Sequence, residues 1–190
     1  TLEKRTLDEA TQRKLVISSI TETNRLNDLC NNILVSTQLE STRQAIYTEE
    51  VSMNQVVLEV LSQIKERYPL CKIVSSVMEE PFCIRGDSSL WKLVVSNLVE
   101  NARKYSPDNT PIEVNLVRRN QKICFSVKDQ GIGIPDNEKD KIFDKFYRVG
   151  NENTRSSKGT GLGLFIVKKI VSLYKYDISV KNNTPKEIGR

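Results

Sequence analysis

The chain has 190 residues, enough for one cored domain with an appendage. Its net charge of +5 is spread along its length, and a phosphate ligand explains that surplus as well as nucleic acid would; no basic stripe interleaved with aromatics argues for nucleic acid. It contains no histidine, which excludes imidazole acid–base chemistry within the chain and argues against a zinc site.

There is no run of about 18 apolar residues and no signal-peptide pattern, so the chain reads as soluble, with no membrane segment of its own. Four cysteines, Cys30, Cys71, Cys83 and Cys124, form no CxxC pair. They fall in apolar-patterned segments and read as reduced core residues of a cytosolic protein.

Residues 7 to about 40 predict one long helix, or two with a break near residues 21–24. Leu26, Leu29, Ile33 and Leu34, with Cys30 beside them, recur at helical spacing and leave one apolar stripe. A lone helix cannot bury such a stripe, so the pattern calls for a second helix, in this chain or in another copy. Residues 46–51 predict a short strand. Ser52 followed by Gln55 is a capping-box pattern, and Val56, Val57, Val60, Leu61 and Ile64 behind it make a helix face that stops before Pro69. Residues 73–77 and 82–85 predict strands, and Gly86-Asp87 opens a new helix with Asp87 as its N-cap.

That helix, about residues 88–104, carries Trp91, Val94, Val95, Leu98, Val99 and Ala102 on one broad face. Lys92, Ser96, Glu100 and Arg103 lie opposite. Asn97, Asn101 and Lys104 follow at i, i+4 and i+7 and share a narrow strip along the border. Asparagine is a poor helix former, so two in one strip invite a functional reason, with a plain exposed border as the alternative.

Ile112, Val114 and Leu116 then alternate with polar residues, as do Ile123, Phe125 and Val127; residues 119–121 between them predict a hairpin. The second strand delivers Asp129 at its end. There begins DQGIGIP, residues 129–135, followed by a predicted short helix at 135–146 that carries Phe143 and Phe146, and by a polar, mobile tract at 148–158. GTGLGL, residues 159–164, runs into a third domain helix at 162–174. Ile178 and Val180 predict a last strand, and the chain ends at Arg190 short of one that would complete the sheet. Glycine serves where backbone must take positive φ or approach a ligand closely, and a glycine turn opening a helix offers free N–H groups to phosphate. Neither GxxxxGK[ST] nor a strand-borne GxGxxG is present, so the common phosphate signatures do not apply, and two unrelated turns remain the alternative.

NLVENARKYS, DQGIGIP, FDKFYR and GTGLGL, in that order and spacing, resemble the N, G1, F and G2 boxes of sensor histidine kinases. The resemblance covers about residues 46–180. It implies an α+β fold: the Bergerat ATP-binding domain, a two-layer α/β sandwich of a mixed sheet with three helices on one face, here preceded by a long helix. It implies ATP and Mg²⁺ as ligands, with Asn101 coordinating the metal and Asn97 beside it. Lys104 would pair with a phosphate, Tyr105 would flank the adenine, and Asp129 would accept from its exocyclic amine. Gly131, Gly133 and Ile134 would bring backbone to the base. Gly159, Thr160, Gly161, Leu162 and Gly163 would fold a lid over the phosphates, with Phe143 and Phe146 anchoring its hinge. Arg148, Arg155 and Lys158 would be lid contacts to phosphate.

RLNDLCNNILVSTQLE resembles the second helix of that family's dimerisation hairpin. The expected division is therefore residues 1–45 as a partial dimerisation segment and 46–190 as the ATP-binding catalytic domain. The histidine that accepts the phosphate lies outside this chain, which reads as a truncated piece of a larger sensor kinase that binds Mg-ATP without phosphorylating itself. The implied partners are a response regulator receiver domain and, in the full-length protein, a second copy; the implied location is cytoplasmic, beneath a membrane-anchored sensor. Two other readings of the same fold are a gyrase- or chaperone-type ATPase and a serine-directed anti-sigma-factor kinase. The ATPases place a glutamate one helical turn before the metal-binding asparagine; this chain has Asn97 there, an amide that cannot act as a base near neutral pH.

Overall fold

The computed structural model describes residues 8–41, 48–119, 122–150 and 159–183. The chain divides into two compact units, Thr1–Ser41 and Thr42–Arg190. The first is a single helix, α1 (Glu9–Ser41), unbroken through residues 21–24. Leu26, Ile33 and Leu34 of its apolar stripe are exposed, as are Leu15, Val16, Ile17 and Ile20 nearer its start.

The second unit opens with β1 (Glu49–Ser52) and α2 (Met53–Arg67). The predicted strand start at residue 46 lies outside the described residues. Ser52 is the N-cap of α2, its hydroxyl accepting from Gln55 N, as the capping pattern predicts. Then come β2 (Ile73–Val77), β3 (Cys83–Gly86), α3 (Ser88–Tyr105), β4 (Ile112–Arg119), β5 (Lys122–Lys128) and α4 (Gly163–Leu173).

β2 pairs parallel with β4, and β4 pairs antiparallel with β5, which makes the sheet mixed. Leu116 stands opposite Phe125 and Val114 opposite Val127, so the two alternating runs share one inward face. The hairpin forms as expected, with β4 running one residue further than predicted so that Arg119 pairs with Lys122; residues 120 and 121 lie outside the described residues. β1 and β3 form a separate antiparallel ladder, so the strands divide between two sheets. α3 packs between α2 and α4 and lies on β4 and β5, giving the two-layer α/β arrangement. Val57, Phe82, Val95, Val99, Val114, Leu116, Ile166, Val167 and Ile170 are shut off from water between the layers.

Three expectations are corrected. The cysteines are free thiols but not core residues: Cys30, Cys83 and Cys124 are exposed and Cys71 is half-buried. On β5 the cause is alternation, since the inward positions belong to Ile123, Phe125 and Val127 and Cys124 takes the outer face. Asp87 caps α3 as expected, and Gly86 before it also ends β3; it is buried, and a Cβ there would run into Trp91 Nε1. Lys92, Glu100 and Arg103 lie opposite the apolar face, as their spacing predicts, and there they meet α2. Lys92 pairs with Glu59 at 2.5 Å, Glu100 with Arg67 at 3.6 Å, and the Arg103 guanidinium lies 3.9 Å from the Tyr68 ring centre, so they form the polar seam between α3 and α2.

The short helix predicted at 135–146 is instead two 3₁₀ turns, Asp136–Glu138 and Lys141–Phe143, with Phe146 outside both at φ 66°. Polar residues fill this stretch, and it lacks a continuous apolar face for packing a regular helix. Ile178 and Val180 do not enter a strand. What ties that segment down is the side-chain amides of Asn182 and Asn183 rather than a backbone ladder. The polar tract at 151–158 lies outside the described residues.

Candidate functional site

The site is assembled on α3. Asp87 caps it, its Oδ1 accepting from the backbone N–H groups of Ser89 at 2.7 Å and Leu90 at 3.3 Å. Trp91, Val94, Val95, Val99 and Ala102 bury the inner face and fix the rotation of the helix about its axis. That rotation leaves Asn97, Asn101 and Lys104 half-buried along one border, as their spacing predicts.

The second glycine cluster lies directly against this strip. A Cβ on Gly163 would sit 2.6 Å from Asn97 Oδ1 and 4.0 Å from Asn101 Nδ2, and a Cβ on Gly159 would collide with Lys104 Nζ. At both positions a side chain of α3 already occupies the space a Cβ would take and would have to move aside for one. Asn97 Nδ2 donates to Leu93 O at 2.9 Å, which commits the amide nitrogen and turns the oxygen toward the glycines. Lys104 Nζ donates to the Tyr105 hydroxyl at 3.2 Å and lies 4.8 Å from that ring's centre. Gly163 is also the first residue of α4, so the helix's free N–H groups and positive dipole end open beside an ammonium and two carboxamides.

Asp129 arrives at the end of β5, half-buried. Its Oδ1 accepts from Gly131 N at 2.7 Å. Gly131 packs on the end of α3, where a Cβ would meet Tyr105 O at 2.7 Å, and Gln130 N donates to Ser106 Oγ at 3.4 Å. The first glycine loop therefore abuts the same helix as the second. Gly133 takes φ 74°, which the loop needs to turn back. The backbone of Ile134 is closed by Asn182, whose Oδ1 accepts from Ile134 N and whose Nδ2 donates to Ile134 O.

Of the two phenylalanines expected at a hinge, Phe146 meets Gly161 through backbone. Phe146 N donates to Gly161 O at 3.0 Å, and a Cβ on Gly161, itself at φ 73°, would stand 2.6 Å from the Phe146 carbonyl carbon. Phe143 is buried with Lys168 over its ring, whereas the Phe146 ring is exposed. Thr160 Oγ1 accepts from Leu162 N at 3.2 Å, shaping the turn into α4. The Leu162 side chain is buried, so only its backbone is available to a ligand. Arg148 is half-buried; Arg155 and Lys158 lie outside the described residues.

Asn182, Asn183 and Ser106 belong to the site and were not singled out from sequence. Asn182 reaches a partner 48 residues away, a contact that no local pattern announces. Among the described residues no three His, Cys, Asp or Glu side chains gather to cage a metal. A cation at this strip would be held by carboxamide oxygen, with phosphate oxygens and water completing its shell, which suits a hard divalent ion that keeps most of its waters. Two clefts of about 180 and 280 Å³ lie elsewhere, and neither is lined by a residue of the strip.

Comparison with known proteins points the same way. Residues 86–189 match the family model described as Histidine kinase-, DNA gyrase B-, and HSP90-like ATPase. The chain is 32% identical to the signal transduction histidine-protein kinase ArlS of Staphylococcus haemolyticus, across 91% of this chain and 38% of that protein. It is 35% identical to the sensor protein kinase WalK of Staphylococcus saprophyticus, across 80% of this chain and 25% of that one. Among solved structures it is similar to the mycobacterial sensor histidine kinase MprB, with a TM-score of 0.59 and 32% identity over 67% of this chain and 80% of that chain. The chain thus spans less than two fifths of the length of these two curated relatives.

Proposed function

The chain belongs to the histidine kinase-, DNA gyrase B- and HSP90-like ATPase family, on its sensor-histidine-kinase side, and from that premise we propose that it binds ATP with Mg²⁺ and transfers the γ-phosphoryl group to a histidine outside this chain. The phosphoryl group then passes to the receiver domain of a response regulator. One observation carries the reading furthest: Asn97 and Lys104 of α3 face the glycines that open α4, which joins two boxes 60 residues apart into one phosphate cradle.

Each residue then has a task. Asn101, with Asn97 beside it, holds the cation; Lys104 stands as a point charge to the phosphates. The cation, when bound, offsets charge on the β- and γ-phosphate oxygens. Asp129, its Oδ1 fixed by Gly131 N, turns the rest of its carboxylate to the exocyclic amine of adenine, a contact guanine cannot make because it presents a carbonyl there. Tyr105 flanks the base, and Gly131, Gly133 and Ile134 bring backbone beside it. Gly159 to Gly163 close over the phosphates about the Phe143 and Phe146 hinge. In the transfer the bond from the γ-phosphorus to the bridging oxygen breaks, ADP leaves, and a P–N bond forms on the acceptor imidazole. The acceptor supplies its own nucleophile, so the domain acts by positioning and charge.

Residues 1–45 serve as the second helix of a dimerisation hairpin and 46–190 as the catalytic domain, a division supported by the exposed apolar stripe of α1. Its partner in the full-length protein is a second copy, on the cytoplasmic side. The ATPase reading finds less support: Asn97 stands where a water-activating glutamate is needed, and Glu100 is engaged with Arg67 of α2.

Calorimetric titration with ATP and GTP, in Mg²⁺ and in EDTA, tests the site. We expect magnesium-dependent binding of ATP over GTP, weakened at least tenfold in Asp129→Asn. Equal binding of the two nucleotides, or none to folded protein, would overturn the assignment. For the transfer step, restoring a histidine-bearing helix upstream should give an acid-labile phosphoprotein; steady phosphate release abolished by Glu100→Ala would return the ATPase reading.

A further inference from the structure

We propose that Asn182, seconded by Asn183, is a positioning residue for Asp129 and so sets the preference of the site for adenine, an inference that rests on the nucleotide reading above. The loop from Asp129 to Ile134 is bonded at both ends to the segment after α4. At its far end Asn182 uses its whole carboxamide: Oδ1 accepts from Ile134 N at 3.0 Å and Nδ2 donates to Ile134 O at 2.9 Å. A carboxamide has the same donor and acceptor as a peptide unit, so this pair imitates one rung of a strand ladder where no ladder exists. At its near end Asn183 Nδ2 donates to Asp129 O at 2.7 Å, on the backbone of the base-recognising residue itself.

These bonds lie at the surface, yet they hold the loop from two directions. Gly133, at φ 74°, brings the loop so close that a Cβ would stand 3.3 Å from Asn182 Oδ1. From the opposite side the loop rests on Tyr105 O and Ser106 Oγ at the end of α3. Asp129 is therefore located between α3 and two asparagine side chains, and its carboxylate is oriented within the loop by Gly131 N. Because recognition of the exocyclic amine depends on where a single carboxylate oxygen stands, a shift of the loop changes base discrimination before it changes phosphate binding.

The requirement is specific to the carboxamide. Asn182→Ala removes both bonds. Asn182→Asp keeps an acceptor for Ile134 N but sets a negative oxygen against Ile134 O. Calorimetry with ATP and with GTP on the wild type, both Asn182 variants, Asn183→Ala and Asp129→Asn, with thermal unfolding of each, tests the idea. We expect Asn182→Ala and Asn182→Asp to weaken ATP about tenfold as the Asp129 carboxylate shifts with the loop. GTP binding should hardly move, so the ATP:GTP ratio falls, while the loss of two exposed hydrogen bonds lowers the unfolding midpoint only slightly. Asn183→Ala should give a smaller fall of the same kind. Wild-type discrimination in Asn182→Ala beside a loss in Asp129→Asn would sink this inference and leave the site standing. Equal loss of ATP and GTP with a lowered midpoint would make Asn182 merely structural, and no discrimination in the wild type would overturn inference and site together.

Discussion

Along one side of α3, Trp91, Val94, Val95, Val99 and Ala102 are sealed from water against neighbouring elements; along its border, Asn97, Asn101 and Lys104 stay half-exposed and meet glycine backbone. The first side binds the helix to the fold by apolar area, which is indifferent to detail at the level of single atoms. The border sets its donors and acceptors against Gly159 and Gly163, where no Cβ stands in the way, with Asn97 held by Leu93 O and Lys104 by the Tyr105 hydroxyl. Stability and affinity are thus written on different faces of one helix, and substitutions should separate them.

The largest effect belongs to the sealed side. Trp91→Ala should lower unfolding free energy by about 3–5 kcal/mol in a denaturant titration, while the fraction that stays folded binds ATP about as well as before. Loss of ATP binding from fully folded Trp91→Ala would break the separation. The border should behave in reverse. Gly163→Ala places a methyl 2.6 Å from Asn97 Oδ1 in a helix that otherwise welcomes alanine. Its unfolding midpoint should change little, because the helix propensity gained offsets the shift that Asn97 must make, whereas the ATP dissociation constant rises at least tenfold, about 1.4 kcal/mol.

The smallest effect sharpens the comparison at the helix start, which belongs to neither face. Burial raises the Asp87 carboxyl, but the bonds from the Ser89 hydroxyl and the Ser89 and Leu90 N–H groups outweigh it and hold the group below the ordinary aspartate value. A depressed carboxyl stabilises the fold above its unfolded pKa, and that contribution disappears as pH falls through the lower folded value. Asp87→Ala should therefore cost about 1 kcal/mol at neutral pH, and the gap to wild type should close below about pH 4 in acid unfolding curves.

Local signals carried most of this helix. Asp87 ahead of an apolar face and Ser52 three residues before Gln55 announce caps whose partners lie within one turn, so sequence suffices to read them. The strip of Asn97, Asn101 and Lys104 was legible because helical geometry alone fixes their common border. The failures involve partners at long range. Ile178 and Val180 alternate as strand residues do, yet alternation says which face a residue takes and not whether a ladder partner is present. Lys92, Glu100 and Arg103 could be placed opposite the apolar face, but nothing local names their partners Glu59, Arg67 and Tyr68. Asn182 carries no pattern at all, since its function is a contact with Ile134 across the fold.

The interlock of Phe146 with Gly161 has a consequence for what the chain can tolerate. One backbone bond of 3.0 Å, backed by two residues in left-handed conformation, ties the chain to itself across the intervening stretch. Both partners are backbone, and the Phe146 carbonyl stands where any Cβ on Gly161 would go, so the clasp depends on the glycine and not on the exposed Phe146 ring. Phe146 can therefore exchange its side chain at little cost to the contact, whereas Gly161 can accept none.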